Sequence, residues 1–96
     1  MSDTRSIAEL PGLGPRSQQM LAQAGIRTVD DLQELGAVAA YARTRRIRGG
    51  ASLNLLWGLE AALSGLPWQE VAREHRTSLL LALEDHERQH PEVGGD

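Results

Sequence analysis

A chain of 96 residues is long enough for one domain with one compact core, and too short for a second. It contains no cysteine, which excludes disulfides and thiolate metal sites, and no apolar run near the ~20 residues that span a bilayer. Ten Arg and no Lys against 13 acids leave a net charge of −3, which weighs against a dedicated nucleic-acid binder.

The charge is unevenly spread: residues 1–50 hold seven Arg and five acids, residues 51–96 three Arg and eight acids. Fifteen Leu and 12 Ala against seven Val plus Ile favour helix over strand, because β-branched side chains lose χ1 freedom in a helix. The polar opening MSDTRSIAEL has no apolar stretch of the kind a signal peptide carries, so the expected location is the cytoplasm.

Ser6-Ile7-Ala8-Glu9 has the form of a capping box, but Pro11 and Gly12 limit its helix to about one turn. Pro15 suits a first helical position, and Ser17 to Ala24 continues as a helix with Met20, Leu21 and Ala24 on one face. Gly25 ends it as a left-handed cap. Thr28 caps the next helix, Asp30 and Asp31 lie in its first turn, Ile26 is placed to staple onto Leu32, and Gly36 closes it. Val38 to about Arg46 is a third segment with Val38 and Tyr41 on its apolar side, broken by Gly49-Gly50.

Ser52 is placed to cap the longest helix, Leu53 to Ser64, whose Leu53, Leu56, Trp57, Leu59 and Leu63 make a wide apolar face. Gly65 stops it, and Pro67-Trp68 begins a short turn or helix reaching Val71. A last helix from about Glu74 to Glu87 turns Leu79, Leu80 and Leu83 inward. The expectation is an all-α fold of about five short helices. Residues 1–90 are expected to form a single domain with Leu53, Leu56, Leu59, Leu63, Trp68 and Leu80 in one core, and 91–96 (PEVGGD) to be a disordered tail.

Two stretches are candidates for function. In Leu10-Pro11-Gly12-Leu13-Gly14-Pro15-Arg16-Ser17 two glycines allow close backbone approach, and the helix start offers free amides beside Arg16. Gly12 or Gly14 should adopt a conformation that a Cβ would oppose, so Gly14→Val should destabilise the chain. The string LPGLGPRSQQMLAQAGIRTVDDL resembles a helix-hairpin-helix element, which holds nucleic-acid backbone without reading sequence. The alternative for the same string is a tight interhelical turn with no ligand. The second stretch carries Arg43, Arg45, Arg46 and Arg48, which can meet phosphates, an acidic partner, or simply the negative end of their own helix.

The remaining side chains carry little chemistry. His86 and His90 are spaced for a shared metal but lack a third ligand, so no metal or other cofactor is expected. Trp57 and Trp68 sit at apolar helical spacing and are expected as core anchors rather than stacking platforms for bases. No nucleophile elbow, P-loop or paired carboxylates occur, so neither an enzyme nor a small-molecule substrate is expected.

Several segments together resemble the C-terminal domain of the TfoX/Sxy competence regulators. TVDDLQELGAVAAYARTRR is similar to one stretch of that family, SLNLLWGLEAAL (Ser52 to Leu63) to its long helix, and Gly65-Leu66-Pro67-Trp68 to the glycine and tryptophan beyond that helix. The likeness runs from Leu10 to Leu83. It implies a fold related to helix-hairpin-helix and SAM-like domains, and a link to the control of competence and DNA-uptake genes. Longer members carry a separate N-terminal domain; that domain, DNA and a regulatory protein are the implied partners. Two functions are expected on this basis. One is a regulatory accessory domain that binds DNA backbone weakly, through Gly12, Gly14, Arg16, Ser17 and the four clustered Arg, or assists a DNA-bound partner. The alternative is a protein-interaction or dimerisation module with no DNA contact.

Overall fold

The computed structural model describes residues 6–10, 12–47, 49 and 51–89. A single 3-10 turn, Ile7–Glu9, precedes α1 (Pro15–Gln23), α2 (Val29–Leu35), α3 (Ala37–Ile47), α4 (Leu53–Ser64), α5 (Trp68–Glu74) and α6 (Arg76–Gln89). No strand occurs among the described residues, and none of their helices is long and apolar enough to cross a membrane. The segment opened by Pro67-Trp68 is a two-turn helix rather than a bare turn, and it ends at His75 before α6 starts. Pro11, Arg48, Gly50, His90 and the expected tail 91–96 lie outside the described residues.

As far as Gly65 the breaks fall where the punctuation placed them, whereas the break at His75 carries no Gly or Pro and was not foreseen. Glu9 folds back onto Ser6, its carboxylate accepting from the Ser6 amide at 2.7 Å and the Ser6 hydroxyl at 3.0 Å. The α1 terminus is a Schellman motif: Ile26 N–H donates to the Leu21 carbonyl, Gly25 N–H donates to Ala22, and Gly25 takes φ +84°. Thr28 accepts the Asp31 amide at 3.0 Å while Asp31 accepts from the Thr28 amide at 3.3 Å, a reciprocal cap. Gly36 is a one-residue joint: its N–H closes α2 on Leu32, and its carbonyl accepts the Ala40 amide inside α3.

Helices α3 and α4 are the centre of the packing. Helix α3 lies against α1, α2, α4 and α6, and α4 also carries α5. Leu21, Ile26, Leu32, Ala40, Leu56, Leu59 and Val71 are fully buried, with Tyr41 and Val29 nearly so. The Tyr41 hydroxyl donates to the Ala51 carbonyl at 3.1 Å, tying α3 to the residues before α4, and the buried Thr44 hydroxyl donates to Ala40 at 2.8 Å. A radius of gyration of 12.7 Å is that of one folded domain of this length.

Three sequence expectations need correcting. Leu53 and Trp68 are 36% and 37% exposed, not core; each is the first residue of its helix, where the neighbouring helices cover only one side. Trp57 is buried on α4 as expected, and Leu55 is buried beside it, because a central helix has neighbours on more than its leucine stripe. Of the two hairpin glycines only Gly12 needs to be one: it takes φ +90°, whereas Gly14 is extended at φ −139° with open space where a Cβ would stand. The strain expected of Gly14→Val therefore has no structural basis.

Candidate nucleic-acid interface

The chain from Leu10 to α1 is held from both sides. The Ala8 amide donates to Gln18 Oε1 at 2.7 Å, fastening the 3-10 turn to α1, and the Leu13 amide donates to the Leu10 carbonyl. Gly12 lies directly on Gly58 in the middle of α4: a Cβ on Gly58 would stand 2.5 Å from the Gly12 carbonyl oxygen. This backbone-to-backbone crossing sets how deeply the hairpin beds on α4. Its signal in the sequence was a lone glycine inside an apolar helix, which the periodic pattern passed over.

Gly14 is the N-cap of α1, offers no side-chain capping bond, and is followed by Pro15 at the first helical position. The amides of Arg16 and Ser17 precede the first intrahelical donor, Gln18, so they point out of the helix unclaimed by it. Arg16 is exposed. Gly12, Arg16 and Ser17 line a cleft of about 420 Å³ together with Ser52, Asn54 and Trp68. Ser52 occupies the N-cap position of α4, yet its hydroxyl makes no capping bond.

The clustered arginines do not join this cleft. Arg43 and Arg46 flank a separate depression with His86 of α6. Arg45 does not line it: its guanidinium packs 5.6 Å from the Tyr41 ring centroid and pairs with Glu87. The four-Arg string is thus divided by helical rotation: Arg43 and Arg46 share a face, Arg45 is committed to an internal contact, and Arg48 lies outside the described residues.

The TfoX C-terminal domain family matches residues 3–83, which takes in the hairpin, its cleft and all of α1 to α5. The chain belongs to the TfoX C-terminal domain family. It is 29% identical over 79 residues to the DNA transformation protein TfoX1 of Aliivibrio fischeri (strain ATCC 700601 / ES114), a match covering 81% of this chain and 38% of that protein. The TfoX-type domain thus spans well under half the length of this curated relative. Two solved structures share the fold, both from Listeria monocytogenes. An uncharacterized protein in a triclinic form aligns at TM-score 0.73 and 25% identity, over 91% of this chain and 96% of that one. A protein of unknown function in a tetragonal form aligns at TM-score 0.68 and 28% identity, over 80% and 99%.

Proposed function

We propose that this TfoX-type domain is a non-enzymatic regulatory accessory domain that binds DNA backbone weakly and without sequence preference, or assists a DNA-bound partner, in the control of competence genes. The observation that carries the reading is the open start of α1, with unclaimed amides at Arg16 and Ser17 beside an exposed guanidinium. Backbone amides and one Arg can grip a phosphate but carry no base code. The name of the Aliivibrio relative, a DNA transformation protein, supports the same direction.

A salt titration on duplex DNA is the test. The hairpin with Arg43 and Arg46 can engage only ~2–4 phosphates, each adding about −0.9 to the log–log salt slope. Affinity should fall near ~10⁻⁴–10⁻⁶ M or weaker, since the net charge of −3 opposes approach. Arg16→Ala, or Arg43→Ala with Arg46→Ala, should weaken binding equally on unrelated sequences and flatten the slope; Arg45→Ala should do less, because that side chain is held by Tyr41 and Glu87. No binding at low salt overturns the reading. It would favour the protein-interaction module, for which Ile47 and Leu81, 55% and 62% exposed, are the supporting observation.

A further inference from the structure

The cleft between the hairpin and the start of α4 has a composition that sets it apart. Among the described residues, no carboxylate lines it. Two other depressions carry Glu60 with Asp85, or Asp31 with Glu34, and the one lined by Arg43, Arg46 and His86 has no carboxylate but no indole either. This one is lined by a cation (Arg16), three neutral hydrogen-bonding side chains (Ser17, Ser52 and Asn54) and the half-exposed indole of Trp68. Arg16 makes no ion pair among the described residues, and the Ser52 hydroxyl is not used as a cap. The ligand chemistry that uses all of these is an anionic group joined to a flat ring that also has hydrogen-bonding edges. The volume, about 420 Å³, is within the ~300–1,000 Å³ range of small-ligand sites and suits one such unit, not several.

We propose that this cleft takes a single nucleotide of a DNA strand whose base is unpaired, with the phosphate on Arg16 and the hairpin amides and the base stacked on Trp68. The proposal rests on the DNA-backbone reading and deepens it, because a base inside a duplex is already stacked and cannot reach the indole. Ser52 and Asn54 face the base edge or sugar and are too few to impose a sequence code. The site therefore prefers single-stranded over duplex DNA, as aromatic platforms beside a basic groove do.

The two tryptophans make the test direct, since Trp57 is buried and Trp68 is not. Titrating the whole chain at low salt with a ten-nucleotide oligothymidylate should quench intrinsic fluorescence and bind more tightly than a duplex of equal length. Trp68→Leu should abolish the quench and weaken oligonucleotide binding about 5- to 150-fold, the range of one lost base stack, while duplex binding stays as it was. Trp68→Phe keeps a ring and should retain most of the affinity, which separates stacking from any loss of folding in the leucine variant. Arg16→Ala should weaken both forms of DNA. Thymidine monophosphate that saturates the quench as tightly as the oligonucleotide would make the ligand a free nucleotide and overturn the strand assignment. Duplex binding with neither quench nor single-strand preference overturns the stack and leaves the backbone reading standing. Failure of both DNA forms to bind overturns the two together.

Discussion

Gly58 shapes the seat of the hairpin through the side chain it lacks. Mid-helix glycine normally costs about 1 kcal/mol against alanine, so propensity alone predicts that Gly58→Ala stabilises the protein. Packing predicts the reverse. The added Cβ would meet the Gly12 carbonyl oxygen at 2.5 Å, and that oxygen is backbone in a turn whose φ of +90° leaves little freedom to move. Overpacking of this kind costs about 1–3 kcal/mol and outweighs the propensity gain. Gly58→Ala should therefore lower the melting temperature and disturb the hairpin. Gly14→Ser, at an open and extended N-cap, should be neutral or mildly stabilising. A thermal melt of the two variants checks both signs.

Among the helices, α2 shows most clearly how a short element is held. Seven residues are too few to be stable alone, so its ends and its buried Val29 and Leu32 must do the stabilising. Its cap is also the part of the molecule that responds to acid. The Arg27 backbone amide, which donates to the Asp31 carboxylate, and after it the Thr28 side chain and backbone amide hold its pKa below the ordinary value. Linkage gives the sign: the folded state favours the ionised form, so the stabilisation is full above the unfolded pKa of about 4 and is lost as pH falls through the lower folded value. Melting temperature tracked from neutral pH into acid should thus decline less steeply for Asp31→Asn than for the natural sequence. The variant should start lower at neutral pH. Parallel curves would mean that the cap is not ionic in character.

For the molecule as a whole, one buried cluster joins α1 to α6 and the N-terminal turn. Leu56 is fully buried in the central α4, and Leu56→Ala should cost about 2–5 kcal/mol, a large share of the ~5–15 kcal/mol that a domain of this kind has. Leu53→Ala, three residues earlier on the same helix but 36% exposed, should cost much less. Chemical denaturation of the pair distinguishes a leucine of the core from one at the rim.

The helix breaks as far as Gly65 and the all-α class were legible in the sequence, because caps and breakers act through the backbone of their immediate neighbours. Thr28 needs only Asp31, Gly25 only Leu21 and Ala22, and Pro15 only its own fixed φ. Family membership was legible for a similar reason: SLNLLWGLEAAL is a contiguous string. Burial and convergence were not, since they depend on what packs opposite. Periodicity could place Leu53 and Trp68 on apolar faces but could not register that each stands at a helix start with one side uncovered. Nor could it tell that Arg45 turns onto Tyr41 and Glu87 while Arg43 and Arg46 stay together. The sequence by itself determined where this chain turns as far as Gly65. Only the tertiary structure decided that Gly12 meets Gly58 and that Arg16 and Trp68 line one cleft, because those residues lie 46 and 52 positions apart and share no local interaction.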